Sequence, residues 1–390
     1  MIPYGRQHID EADIEAVIET LRSDFLTQGP KVPAFEQAVA ARVNAKYGVA
    51  VNSATSALHV ACLALGVQPG DRVWTSPISF VASSNCALYC GASVDFVDID
   101  PVTHNMCADA LAAKLEVAAK EGKLPKVVIP VHLCGHSCDM APISKLAKQY
   151  GFGLIEDASH AVGATYKSQP VGNCAFSDIA VFSFHPVKIM TTGEGGVATT
   201  NDHALAEKMG LLRSHGVVRE PSSFRFEADG PWSYEQQFLG FNYRMTDIAA
   251  TLGISQLGKL DDFLQRRRDI VDAYAELLAD VDVSTPFEAE YAKSSYHLYV
   301  IRTAHETGPM NRKEMFGRFR RAGINVNIHY IPIYRHPYYA QMAFDPSHYP
   351  NAEAYYSQAI SLPIFPDLSN GDLEKIVKVM NMASGYQDLF

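Results

Sequence analysis

Three short runs, KVVIPVHL (126–133), GFGLIED (151–157) and IAVFSFHP (179–186), are almost unbroken in apolar side chains. A strand with one face in water alternates apolar and polar residues, whereas a strand covered on both faces does not. Segments of helical spacing surround these runs: IEAVIETL (14–21), VPAFEQAVAARV (32–43) and ATSALHVACLALG (54–66), the last closed by Gly66. YGVAVNS (47–53), RVWTSP (72–77) and ASVDFVDID (92–100) read as further strands, and FVASSNCALYCG (80–91) as a helix. Doubly covered strands alternating with helices imply an α/β fold with a mostly parallel, doubly wound sheet flanked by helices.

The pattern changes after Thr246. A long helical stretch covers 246–280, with the polar run Arg266-Arg267-Arg268 reading as a solvated stretch between two domains. SYHLYVIR (295–302), MNRKEMFGRFRRAG (310–323) and INVNIHY (324–330) then read as strand, helix and strand, with helices near 351–361 and 370–384. The expected division is a large domain over 1–260, including the N-terminal segment, and a smaller C-terminal α+β domain over 261–390. A length of 390 residues agrees with two or three domains at about 150 residues each.

Charge and composition remove several classes of function. The chain carries 33 basic and 43 acidic side chains, a formal charge of -10, which argues against a nucleic-acid protein. No apolar stretch approaches the roughly 20 residues that span a bilayer. The opening MIPYGRQHID lacks the charged and apolar stretches of a secretory leader. Seven cysteines, an odd number scattered along a large chain, suit free thiols in a reducing cytoplasm. There is no G-x-G-x-x-G after a strand and no G-x-x-x-x-G-K-[ST]. His132, Cys134, His136 and Cys138 alternate, but Gly135 and the lack of a second ligand cluster favour a loop over a zinc site.

Three features fall at the C-terminal ends of predicted strands, where open α/β sheets place their ligands. Asn52-Ser53-Ala54-Thr55-Ser56 joins a strand to a helix; its free amides suit an anion, or Ser53 or Thr55 simply caps the helix. Glu156-Asp157, followed by His160, brings a carboxylate to the sheet edge, again a possible cap. Ser183-Phe184-His185-Pro186-Val187-Lys188 runs from a buried strand into the Gly-rich turn 191–196, TTGEGG. A desolvated lysine has a lowered pKa and becomes a nucleophile. Pyridoxal phosphate (PLP) needs all three: an anion cradle, a carboxylate for the pyridinium nitrogen and a lysine for the aldehyde.

The ordered set SATSAL, FVAS, EDASHA, SFHPVK, TTGEGG and GFNYRMTDIAA resembles the fold-type I sugar-nucleotide aminotransferases, over essentially the whole chain. Within that family the chain is similar to the transaminases of pseudaminic acid synthesis, through SFHPVK, TTGEGG, DASHA, 25–29 and 327–330. Ile189-Met190 depart from the proline expected there. The resemblance implies that Lys188 carries the Schiff base and shuttles the proton, and that Asp157 pairs with the pyridine nitrogen. Phe80 would stack on the ring, and His160 would sit near its phenolic oxygen. Ala54, Thr55 and Ser183 would hold the phosphate. Asn242 would reach the cofactor phosphate of a neighbouring subunit, making a homodimer with shared sites. Tyr4, Phe25, Leu26, Thr27, Gln28, Asn327, Ile328, His329 and Tyr330 would contact the sugar nucleotide, and Glu194 the substrate or its own turn. The implied reaction moves an amino group, with L-glutamate as donor, to the C4 ketone of a UDP-linked 4-keto-6-deoxy-N-acetyl-hexosamine. PLP would cycle with pyridoxamine phosphate (PMP). The alternatives are a different 4-keto or 3-keto sugar nucleotide, an amino-acid substrate, a regulator that keeps the fold and cofactor, or a dehydratase on the same fold. A dehydratase would carry histidine in place of Lys188, and a regulator would add a nucleic-acid-binding domain that is not visible here.

Overall fold

In the computed structural model, which describes residues 1–303 and 311–381, the three apolar runs lie side by side at the centre of a seven-stranded sheet. Its strands are β1 (Tyr47–Val51), β2 (Arg72–Thr75), β3 (Ser93–Phe96), β4 (Val127–Ile129), β5 (Gly153–Asp157), β8 (Ile179–Ser183) and β9 (Gly196–Thr200). A hairpin of β6 (Thr165–Tyr166) and β7 (Gln169–Pro170) interrupts the series. The sheet order is β1-β9-β8-β5-β4-β2-β3. The pairs from β8 through β3 are parallel, while β9 runs antiparallel to both β8 and β1. The expected α/β fold with a mostly parallel sheet is therefore present, with one reversed strand. That strand begins at Gly196, inside what reads in the sequence as a glycine turn.

Helices cover both faces. On one side α3 (Ala54–Ala64), α4 (Ala82–Tyr89) and α7 (His203–Leu212) bury a cluster that includes Val49, Val51, Ile155, Ile179 and Val181. On the other, α2 (Lys31–Val43), α5 (Ala108–Glu121), α6 (Met140–Tyr150) and α8 (Asp247–Gly258) pack on Ala50, Val128, Leu154 and Phe182. Neighbouring strand residues point to opposite faces, so each run needs apolar side chains at every position. α1 (Glu11–Leu21) leans on α8: buried Asp13 accepts from Ser255 at 2.6 Å, Gln256 at 2.7 Å and Lys259 at 2.6 Å.

The remaining strands make smaller sheets. β10 (Val217–Val218) pairs with β11 (Glu235–Gln236), and β13 (Ala292–Lys293) joins the β6–β7 hairpin. β12 (Val283–Ser284), β14 (Tyr299–Thr303) and β15 (Ala359–Leu362) form an antiparallel sheet. It shares a third core with α9 (Leu260–Leu277), α10 (Arg312–Arg321) and α13 (Asn370–Asn381). Ile2 enters that core too, its amide donating to Gly323 at 2.9 Å. α11 (Pro337–Ala340) and α12 (Pro350–Gln358) return to the large sheet's cluster through Tyr339, Ala352 and Tyr355. The expected smaller α+β part is present, and residues 382–384 of the predicted last helix lie outside the described residues.

Three local expectations are corrected. The stretch 246–280 is two helices broken at Lys259, whose amine is drawn to Asp10 and Asp13. The run Arg266–Arg268 is not a solvated bridge. Arg267 is 1% exposed, Arg266 donates to the Pro366 and Leu368 carbonyls, and Arg268 to that of Ser294. The arginines staple α9 to the smaller part by satisfying carbonyls that no ladder reaches. INVNIHY forms no strand beyond isolated bridges at Ile324 and Asn327. Asn327 pairs with Ser361 through both backbone groups, but the next amide, that of Ile328, donates to the Asn327 side chain, a local bond that competes with extending the ladder.

Candidate active site

The reversed strand β9 assembles the first part of the site. Gly196 pairs with Val51 on one side and Ser183 on the other, which brings the turn after β1 next to the end of β8. That turn starts α3. Ser53 caps the helix by accepting from the Ser56 amide at 3.1 Å, and Ser56 donates to Asn52 at 2.7 Å. The cap reading is therefore correct for Ser53. It leaves the amides of Ala54 and Thr55 without partners among the described residues, as the first turn of any helix does. The Ser183 hydroxyl also makes no hydrogen bond there and faces the same cavity. A side chain at position 196 would place its Cβ 2.6 Å from the Ala54 nitrogen. Gly196→Ala is accordingly expected to push α3 off β9, costing about 1–3 kcal/mol. It should weaken binding of a phosphate-bearing ligand as well, read by thermal unfolding and by PLP titration. An unchanged PLP affinity would count against this cradle.

The cavity, about 1030 Å³, opens at the C-terminal ends of β5 and β8. Asp157 ends β5 and is buried. Its carboxylate accepts from the Ser83 hydroxyl at 2.6 Å and the Ser159 amide at 3.1 Å. Among the described residues no cation pairs with it. Lys188 follows β8 in a turn where its amide donates to the His185 carbonyl at 2.9 Å. Its amine has no hydrogen bond or ion pair among the described residues. Burial lowers its pKa from 10.5 to about 8, against an opposing pull from Asp157. Both residues line one cavity with no ion pair joining them.

Buried aromatic and imidazole rings form the next wall. His160 accepts from the Cys134 amide through Nδ1 at 3.3 Å, which leaves Nε2–H to donate to the Tyr330 hydroxyl at 3.0 Å. Burial, with the Lys188 charge, holds its pKa well below the usual value, so the ring is neutral. His329 is neutral for the same reasons, with a pKa near about 3, and Nδ1 shares a proton with Ser361 at 2.7 Å. Tyr4 lies 5.4 Å from the His329 ring. Phe80 is 59% exposed, with its ring 6.4 Å from Tyr330, an aromatic face left open to the cavity. Glu194 stands at the rim, 3.9 Å from His185.

Most of the residues singled out in the sequence meet here: Tyr4, Ala54, Thr55, Phe80, Asp157, His160, Ser183, Lys188, Glu194 and 327–330. Phe25, Leu26, Thr27, Gln28 and Asn242 do not line this cavity. All are exposed; residues 25–28 are held beside the start of α8, because Thr27 bridges Thr246 and buried Asp247 accepts from the amides of Gly29, Lys31 and Val32 at 2.5–3.0 Å, while Asn242 bridges Ser214. Ser83 and His297 also belong to the site. Ser83 follows Phe80 by less than a helical turn, and His297 sits in a predicted strand, so neither carries a sequence signal of its own.

These residues fit the cofactor expected from the sequence. Two open amides and a free hydroxyl suit a phosphate, a buried unpaired carboxylate suits a protonated ring nitrogen, and a desolvated amine suits an aldehyde. The model of the DegT/DnrJ/EryC1/StrS aminotransferase family matches residues 7–381. The chain belongs to this family. It is an aminotransferase of fold type I. It is 39% identical to UDP-4-amino-4,6-dideoxy-N-acetyl-beta-L-altrosamine transaminase of Campylobacter jejuni, over 97% of this chain and 96% of that one. Among solved structures it resembles Helicobacter pylori PseC, an aminotransferase involved in the biosynthesis of pseudoaminic acid. The TM-score is 0.88 at 32% identity, over 97% of this chain and 98% of that one. The putative sugar aminotransferase Spr1654 from Streptococcus pneumoniae gives TM-scores of 0.86 in its PMP form and 0.85 in its PLP form. It is 32% and 31% identical, over 97% of this chain and 98% and 97% of that one.

Proposed function

We propose that this aminotransferase uses PLP, cycling with PMP, to move an amino group from L-glutamate to the C4 ketone of a UDP-linked 4-keto-6-deoxy-N-acetyl-hexosamine, in pseudaminic acid biosynthesis. The observation that carries this reading is the sharing of one cavity by the Lys188 amine, the Asp157 carboxylate and the open N-terminus of α3. The similarity to the Campylobacter transaminase and to PseC supports the sugar class.

Bound PLP supplies an electron sink for the carbon that loses its proton. The chain's own groups do the rest. Ala54, Thr55 and Ser183 bind the phosphate. Asp157 keeps a proton on the ring nitrogen, and Ser83 and Ser159 fix its carboxylate for that task. Phe80, open to the cavity, would stack on the ring. His160 stays neutral, oriented by Cys134 and Tyr330, and would sit near the phenolic oxygen. The Lys188 amine, with a pKa near about 8, takes up and releases a proton close to neutral pH. Tyr4 and 327–330 line the substrate side. Asn242 and residues 25–28, exposed on their own chain, complete the cavity of a second copy in a homodimer.

The test is to supply the purified holoenzyme with L-glutamate and the UDP-4-keto sugar. Nuclear magnetic resonance should find an amine at C4, and the visible cofactor band should bleach with glutamate and return with the keto sugar. A deoxygenated sugar would point to the dehydratase instead, and turnover confined to small keto acids would remove the sugar assignment.

A further inference from the structure

Two neighbouring buried groups, one of them lining the cavity, lack among the described residues partners that burial demands. His297, between β13 and β14, is 4% exposed and lines the cavity. Its Nδ1 is enclosed without a hydrogen-bond partner, and its Nε2 has none among the described residues. Arg267, on α9, is 1% exposed. One of its terminal nitrogens donates to the carbonyls of Tyr296, His297 and Ile364 at 3.0, 3.2 and 3.3 Å, while its Nε has no partner among the described residues. Among the described residues no carboxylate pairs with it. Carbonyl dipoles solvate a guanidinium but leave its charge in place, and an uncompensated buried charge is costly.

The His297 ring is locked in position. It packs on His160 with centroids 4.5 Å apart. Ser295 next to it donates to the His160 carbonyl at 2.9 Å, and the Leu298 amide to that of Cys134 at 3.4 Å. Burial keeps the ring neutral, helped by the charges that face it from Lys188 after β8 and Arg267 on α9, with the His160 and His329 imidazoles beside it. A neutral imidazole has one N–H. Orphaned buried donors are rarer than orphaned acceptors, so the enclosed Nδ1 is the bare nitrogen and Nε2 bears the proton. A lone N–H donor, backed by a buried cation, calls for an anionic acceptor in the cavity.

We propose that His297 binds the α-carboxylate of the amino donor through its Nε2–H, with Arg267 as the positioning residue behind it. This assignment rests on the aminotransferase reading above. The donor's α-carboxylate is bonded directly to the reacting carbon, so its receptor must lie beside the reacting amine. The diphosphate of a nucleotide sugar is carried on C1, across the pyranose ring from C4 and so away from the reacting carbon. His297 lines the same cavity as Lys188 and packs its ring on His160, which lines it too, and so meets the first requirement.

Half-reactions of the holoenzyme separate the possibilities. His297→Phe keeps a ring against His160 and removes both nitrogens. Its half-saturation for L-glutamate should rise by about ten- to a hundredfold, as for loss of a hydrogen bond to a charged group. Half-saturation of the PMP form by the keto sugar nucleotide should stay within about threefold. His297→Gln, which retains an N–H donor, should recover part of the glutamate affinity. Unlabelled glutarate, which has carboxylates and no amine, should perturb the His297 imidazole resonances of the wild-type holoenzyme. Equal losses in both half-reactions, or an unchanged glutamate half-saturation in His297→Phe, would overturn the assignment while leaving the aminotransferase reading intact. A wild-type enzyme that accepts no amino acid at all would remove both.

Discussion

Lys188→Ala is expected to lower amino transfer by about 10³-fold or more, with the fold and thermal stability kept. The amine has no structural partner to lose. It makes no hydrogen bond or ion pair among the described residues, and burial already disfavours its charged form. Removing it relieves a desolvated cation and deletes the group proposed to move the proton. The measurement is product formation beside a melting curve: full activity in the variant would end this account, and a lost fold would show a structural lysine instead. The pH dependence follows from the same burial. Only the neutral amine has a lone pair to offer, so reaction of the apoprotein's Lys188 with an aromatic aldehyde should rise with pH. It should be half-maximal near about 8, where an exposed lysine would give 10.5. A midpoint near the exposed value would place the amine in water.

Asp157→Asn is expected to reduce activity by about 10²–10³-fold, as for loss of a pre-placed charge in a buried site. The substitution keeps the shape and an acceptor for Ser83, so the change is chiefly one of charge. Its effects on stability should differ between the two forms of the protein. In the apoprotein Asp157 is a buried carboxylate without a cation, held by two neutral donors. Neutralising it there should leave the melting temperature unchanged or raise it. In the holoenzyme the same change would remove the counter-charge proposed for the ring nitrogen and should weaken PLP binding. Equal destabilisation of both forms would make Asp157 a structural residue.

The centre of the sheet and the polar groups that line the cavity were legible because each is a local property. β4, β5 and β8 stand inside the three apolar runs, and α3 starts one residue after its Ser53 cap. The misses share a cause. β9 and β15 were hidden, one behind glycines and the other at the end of a predicted helix, since pairing with distant strands makes them strands. Arg267 looked solvated because three arginines in a row usually are. Only the packing of α9 against the carbonyls of 296, 297 and 364 buries it.

The order of residues along the chain thus determined the chemistry on offer: an acid at 157, an amine at 188, hydroxyls and open amides at 53–55, and strands that must be covered on both faces. Their convergence was decided by the reversed strand β9, whose Gly196 seats α3 beside Ser183, and by the return of 327–330 and His297 against His160. Side-chain type is written one position at a time. The distance between positions more than a hundred residues apart, and the loss of water that lowers the lysine's basicity, arise only when the whole chain packs.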